Sequence, residues 1–252
     1  MNSDNLNLTN IQIQEIYENI GGKFLLPIEE MALRCQNIRQ MIFDWDGVFN
    51  SGAKSENYPS TFSEPDMMGI NLLRYAIFRL QKSNGLSDSV AMPKLAIITG
   101  QKNENAELVS KREKYSAMYF KSLDKKVALD HFCNHTGFSS EQTVIFFDDV
   151  LDIGAARNCG LKMMMSRKAN PIFELFCIQN KSADYLTAHS GGNGGLREAT
   201  ELLMSLSSDS FQIFQSRILF DSDYKNYITL RSLISPAFYE CKLKEIDEVK
   251  LD

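Results

Sequence analysis

The chain has 252 residues, 44% of them hydrophobic, and a formal net charge of −5. That apolar share is ordinary for a protein that buries a core, and the length allows one large domain or one domain with extensions. The acidic balance leaves no basic footprint, which argues against nucleic acid as a partner. A phosphorylated ligand must then be held locally, by a cation, backbone donors or a few Lys and Arg.

Five cysteines (Cys35, Cys133, Cys159, Cys177, Cys241) are odd in number and form no CxxC pair. They read as the reduced thiols of a cytoplasmic protein, not as a disulfide framework or zinc site. The opening MNSDNLNLTN has no basic n-region, so no signal peptide is expected. The apolar runs are too short for a membrane span.

In chain order, residues 11–40 carry a helical pattern through Ile11, Ile13, Ile16, Tyr17 and Ile20, broken at Gly21-Gly22 and resumed by Leu25, Ile28, Met31 and Leu33. Asn10 or Thr9 is placed to cap the first helix. Short apolar runs then alternate with helix-period segments. The runs Met41–Phe43, Leu95–Ile98, Ala117–Phe120, Val144–Phe147 and Leu161–Met165 read as buried strands, and 66–82, 103–114, 124–137 and 150–158 as the intervening helices. A fifth helix near 195–207 follows a Gly-rich loop. This alternation predicts an α/β fold, a doubly wound, mainly parallel sheet with helices on both faces. Residues 50–65 are too short for a large cap domain and suit a small hairpin flap. Beyond residue 208 no clear period remains, and a helical or irregular tail is expected.

In such a sheet the ligand sits beyond the carboxyl ends of the strands, and the acidic motifs fall there. The first run ends in Asp44-Trp45-Asp46-Gly47, the fourth in Asp148-Asp149 with Asp152 three residues on. Period two puts Asp44 and Asp46 on one side and Trp45 opposite, into packing. Two carboxylates about 4 Å apart repel by roughly 4 kcal/mol at an effective dielectric near 20. A gathering of them asks for proton sharing or a cation, and all-oxygen ligands suit Mg²⁺. Thr99-Gly100 ends the second run with a hydroxyl and a small turn residue. Lys125, with Lys126 beside it, opens a helix, where a cation opposes the dipole; neutralising phosphate and carboxylates would explain it.

In order the chain shows IFDWDGVFN, LAIITGQ, LDKKVAL and IFFDDVLD, then GLKMMM and ADYLTAHSGGNGGLREATELL. This resembles the haloacid dehalogenase superfamily, and within it the capless 3-deoxy-D-manno-octulosonate 8-phosphate phosphatase family, which includes nonulosonate 9-phosphate phosphatases. The resemblance covers about residues 40–207. It implies a Mg²⁺-dependent phosphomonoesterase working through an aspartyl-phosphate on a phosphorylated sugar acid. Asp44 would be nucleophile and metal ligand, and Asp46 acid/base and a metal ligand through its carbonyl. Thr99 would contact phosphate, Lys125 (four residues before Leu129) would neutralise charge, and Asp148 would bind metal with Asp149 and Asp152 in support. Gly47, Gly100, Asp66, Gly192 and Arg197 would lie on the substrate side, with His189 to Gly195 at its rim. The resemblance also implies a homo-oligomer, typically a tetramer. The organisation is then an N-terminal helical extension over 1–39, a phosphatase core over 40–207 and a tail over 208–252.

Asn50-Ser51-Gly52, Pro65, Gln101 and Phe147 depart from the family's pattern, and the first of these changes remove donors to a sugar carboxylate. Together with the two extensions, the altered flap motivates an alternative, a non-catalytic assembly or regulatory domain of the same fold. Retention of Asp44, Asp46, Thr99, Lys125 and Asp148 argues against it. A response-regulator receiver has the reverse order, with its acid pair first.

Overall fold

The computed structural model describes residues 8–54, 60–243 and 245–250. Its elements are α1 (Asn10–Asn19), β1 (Lys23–Phe24), α2 (Ile28–Cys35), β2 (Gln40–Phe43), α3 (Glu64–Ser83), α4 (Asp88–Ala91), β3 (Lys94–Ile98), α5 (Glu104–Arg112), β4 (Ala117–Phe120), α6 (Lys125–Thr136), β5 (Thr143–Phe147), α7 (Ile153–Ala156), β6 (Leu161–Met164), α8 (Pro171–Gln179), β7 (Tyr185–Leu186), α9 (Gly195–Ser207), α10 (Ser210–Leu219), α11 (Ser222–Ser232), β8 (Ala237–Lys242) and β9 (Glu245–Val249). The nine strands form one sheet in the order β1-β7-β6-β5-β2-β3-β4-β8-β9. All pairs are parallel except the two edge pairs, β1–β7 and β8–β9. The chain leaves the central β2 toward β3 and β4, then returns to β5 on its other side, which puts the topological switch at the end of β2.

Strands β2, β4 and β5, and β3 after Lys94, are buried along their whole length because both faces of the sheet are covered there. Their residues still divide by the two-residue period. Met41, Phe43, Leu95, Ile97, Met118, Val144 and Phe146 pack into the core shared with α1, α2, α3, α5, α9, α10 and α11. Ile42, Ala96, Ile98, Ala117, Tyr119, Ile145 and Phe147 face the core shared with α6, α7 and α8. Local signals set the helix ends. Thr9, not Asn10, caps α1 through a reciprocal capping box with Gln12. Asn103 caps α5, and Asp124 caps α6, which stops at Gly137 in the left-handed conformation. The expected helix 150–158 is a 3₁₀ turn, Val150–Asp152, followed by the short α7.

The tail, expected to be helical or irregular, is helical over α10 and α11 and then ends in two strands. After α10 and α11, which pack Tyr224 and Tyr227 against Tyr75 of α3, the chain adds β8 parallel to β4 and folds β9 back onto it. The pattern was obscure because an edge hairpin buries little of its surface: Phe238 and Tyr239 are buried, while Glu245, Asp247 and Glu248 keep β9 charged. Charge on an edge strand discourages pairing with other chains. The N-terminal segment is likewise more than helical, since β1 closes the opposite edge against β7. Residues 50–54 and 60–63 carry no strand, and Ser55–Pro59, where the tip of a hairpin flap would fall, lie outside the described residues. No described helix is long and apolar enough to cross a membrane.

Candidate active site

Four adjacent strand ends deliver the polar residues. Asp44 follows β2, and its N–H extends the ladder to the Phe146 carbonyl at 3.0 Å. Thr99 follows β3, donating its N–H to the Tyr119 carbonyl and accepting at its own carbonyl from Ser122 N–H. Lys125 is the first residue of α6, and Asp148 follows β5. Asp152 ends the 3₁₀ turn, and its Oδ2 accepts from the N–H groups of Asp148 and Asp149 at 3.4 and 3.2 Å. The turn after Asp44 needs a glycine: Gly47 has φ +90°, and a Cβ there would stand 2.0 Å from Asp148 Oδ2. Trp45 points the other way, fully buried against Phe49, with Nε1 donating to Ser60 Oγ at 2.8 Å.

Lys125 joins the acids. Its Nζ lies 2.5 Å from Asp44 Oδ1 and 2.5 Å from Asp152 Oδ1. Burial alone would lower the lysine pKa, but these two carboxylates override it and hold the ammonium charged. Asp44 is pushed well above the usual carboxylate range by burial and by Asp152, with Lys125 opposing. Asp148 is pushed up to about 7 by burial and by Asp152, against the pull of Arg167, whose Nη2 is 2.6 Å from its Oδ2. Lys126 is exposed and pairs with Asp130.

Asp44, Asp148 and Asp152 each offer an oxygen within 4.8 Å of the others. Asp148 Oδ1 is buried without a partner among the described residues, an arrangement that costs free energy unless something else meets it. Three hard oxygen donors and excess negative charge fit a small divalent cation. The grouping departs from the expected supporting set at Asp149. Asp149 turns outward, because its carboxylate caps the 3₁₀ turn through Val150 N–H at 2.7 Å. The Asp46 side chain is drawn to the mouth of the site by Lys54, 2.9 Å away. Asp152, expected in support, stands in the cluster and meets Lys125.

A cleft of about 590 Å³ opens beside Gly47. Its walls come from Ser51, the loop after β6 with Arg167 and Lys168, and the loop after β7 with His189 and Gly191. The glycine loop presses on the Asp44–Ser51 turn so closely that a Cβ on Gly191 would stand 1.8 Å from the Gly47 carbonyl oxygen; Gly192 sits against Asn50 and Ser51. Glu198, buried in α9, accepts from Ala188 N–H, His189 N–H and Tyr185 O–H and bonds His189 Nδ1 at 2.8 Å, which fixes the loop end.

Asp66 and Arg197 do not line this cleft. Asp66 Oδ1 accepts from the Arg197 backbone N–H at 2.9 Å, and the Arg197 guanidinium pairs with Glu201. The first turn of α9 has N–H groups with no helical partner, and Asp66 reaches one because α3 packs tightly on α9, with Gly69 against Thr200. Asp66→Ala should therefore cost about 1–2 kcal/mol, as loss of a helix cap does, in urea unfolding. A raised KM at undiminished stability would return Asp66 to the substrate. Gly100 follows Thr99 with open space around it and is not a cleft wall. Arg167, Lys168 and Lys54 escaped the sequence reading. The available signal was a pair of cations, Arg167-Lys168, one residue beyond the buried run that ends at Met165.

No family model matches the chain. It is 24% identical over 176 residues to the 3-deoxy-D-manno-octulosonate 8-phosphate phosphatase KdsC of Escherichia coli K12, covering 69% of this chain and 84% of that one. A probable YrbI family phosphatase from Pseudomonas syringae has a TM-score of 0.60 at 26% identity, over 76% of this chain and 98% of its own. The Moraxella catarrhalis 3-deoxy-D-manno-octulosonate 8-phosphate phosphatase, solved with magnesium, phosphate and KDO, shares the fold with a TM-score of 0.57 at 23% identity, over 75% of this chain and 98% of its own. Likeness in sequence and in sheet architecture thus converge on the KdsC-like phosphatases of the haloacid dehalogenase superfamily, to which the chain is similar.

Proposed function

We propose that the protein hydrolyses a phosphate monoester through an aspartyl-phosphate on Asp44, with Mg²⁺ at Asp44 and Asp148. The ester is a phosphorylated sugar acid such as 3-deoxy-D-manno-octulosonate 8-phosphate or a nonulosonate 9-phosphate. The observation that carries this reading is the closed contact of Lys125 with Asp44 and Asp152, beside Asp148. Magnesium in the Moraxella relative supports the choice of metal, and KDO there supports the substrate class.

The residues divide the work as follows. The cation, when bound, cancels charge on nucleophile and phosphoryl group. Lys125 adds a second fixed positive charge and opposes the rise in the Asp44 pKa that burial and Asp152 cause. Asp44 attacks phosphorus, and the ester P–O bond breaks. Asp46, at the mouth beside Lys54, gives its proton to the departing alkoxide. It then takes a proton from water, whose oxygen attacks phosphorus and breaks the Asp44 O–P bond, releasing phosphate. Thr99 and the turn's N–H groups hold the phosphoryl oxygens.

Protein stripped with EDTA should lose p-nitrophenyl phosphate hydrolysis, and millimolar Mg²⁺ should restore it. Full turnover without any divalent ion would overturn the mechanism.

A further inference from the structure

We propose that the groove between α4, the start of β3 and the end of α11 binds an aliphatic monocarboxylate, with Lys94 holding its head group and Met92, Leu230, Leu233 and Ile234 its chain. This site is separate from the acids around Asp44. Lys94 opens β3 and Thr99 follows the other end of that strand, so the two lie roughly 16 Å apart along it.

The groove encloses about 660 Å³, more than the cleft beside Gly47 and within the range of small-molecule sites. Its apolar surface comes from two directions. Met92, buried, follows α4, while Leu230 of α11 and Ile234 beyond it are half-buried against the same core. Leu233 forms the lip and is 75% exposed. One exposed leucine is ordinary, but this one prolongs an apolar wall that already runs inward. No aromatic ring is among the described lining residues. The surface therefore offers an alkyl chain contacts along its length and offers a planar ligand no ring to stack on.

The charges choose the head group. Lys94 is half-buried and has no acidic partner among the described residues. The acid in the lining, Asp88, is taken by Lys82 at 2.5 Å. The charged neighbour that acts on Lys94 is Arg74, another cation, and burial and Arg74 together hold the lysine pKa below its ordinary value. Arg74 is itself 1% exposed, gives Nη1 to the backbone carbonyls of Glu113 and Lys114, and has Nε and Nη2 without partners among the described residues. Two cations with no carboxylate between them favour an incoming anion, which in turn favours the charged form of Lys94. A single ammonium beside an apolar wall matches a monoanion with a hydrocarbon body better than a hydrated phosphate dianion.

Ligand-detected NMR titration of the metal-free protein at neutral pH with octanoate, octanol, octylammonium and acetate tests this. Octanoate should bind about 10-fold tighter than octanol, since a charge-assisted hydrogen bond at a half-exposed lysine is worth less than a buried one. Octylammonium should bind more weakly than octanol, and acetate should not compete. Hexanoate should bind about fourfold more weakly than octanoate, about twofold for each methylene lost from a half-open groove. Lys94→Met should bring octanoate down to the level of octanol without weakening octanol, which also reports that the groove is intact. Lys94→Arg should keep the preference. Leu233→Ser, at the exposed lip, should weaken octanoate and octanol alike by about threefold. Asp44→Asn should change none of these affinities, which separates this site from the proposed reaction centre. Absence of octanoate binding, equal affinity for octanoate and octanol, a preference that survives Lys94→Met, or displacement of octanoate by equimolar inorganic phosphate would overturn the inference.

Discussion

Asp44→Asn should lower kcat by about 10⁴-fold or more while making the metal-free protein more stable. The first effect follows from chemistry: a carboxamide cannot form the acyl-phosphate, and loss of a covalent nucleophile elsewhere costs that much or more. The second follows from the site's charge. Asp44 is buried among Asp148 and Asp152, and its pKa is held up by burial and by Asp152 against the opposing pull of Lys125. Ionising it in the metal-free protein is therefore unfavourable, and Asn removes that charge at nearly constant volume. An amide oxygen can still accept from Trp45 N–H, which now donates to Asp44 Oδ1 at 2.7 Å. A gain of about 1–2 kcal/mol in urea unfolding is expected, the usual trade between stability and an active-site charge. Residual turnover within tenfold of wild type would remove Asp44 as nucleophile. A less stable metal-free variant would show that the carboxylate is a net stabiliser, contrary to the electrostatics.

The parts of this molecule that could be read in advance are those governed by local periodicity. Buried runs such as Val144–Phe147 have no competing interpretation once helix-period segments flank them, and acids at their carboxyl ends announce themselves. Side-chain direction within a turn was harder. Period two would keep Asp46 with Asp44, but Gly47 at φ +90° ends the strand geometry and Lys54 captures the Asp46 carboxylate. Among the later acids, Asp152 joins the cluster because the 3₁₀ turn folds it back onto the Asp148 and Asp149 N–H groups, while Asp149 caps that turn. Contacts set by packing between distant elements were illegible. Asp66 and Arg197 meet across 131 positions through the α3–α9 interface. The departures at Asn50-Ser51-Gly52, Pro65 and Gln101 were visible in the sequence. The cations at Arg167 and Lys168 were not recognised, since a basic dipeptide in a loop carries no periodic signal.

The lysine that begins α6 against the helix dipole has its reason in the same cluster, and this leads to the second large effect. Lys125→Met should destabilise the metal-free protein by about 3–5 kcal/mol near pH 7.5, the cost of removing one partner from a buried ion pair. The deficit should shrink toward pH 4. Asp148 rises from an ordinary 3.8 to about 7 in the folded protein. An acid raised in this way lends its stabilisation in full below about pH 4 and loses it as pH climbs through 7. Asp44 is raised too and so has the same sign. Lys125 pulls both acids down, so its removal steepens the fall in stability across that window. The raised pKa of Lys125 contributes in full at every pH below its ordinary 10.5 and so adds no pH dependence across this window. Thermal melts of wild type and Lys125→Met from pH 4 to 8 measure the difference, and a pH-independent deficit would mean lost packing, not lost charge. Mg²⁺ should recover part of the stability, since a divalent cation answers the same carboxylates. It should not recover turnover, which is expected to remain 10²–10³-fold down, the loss typical of removing one preorganised positive group from a developing anion.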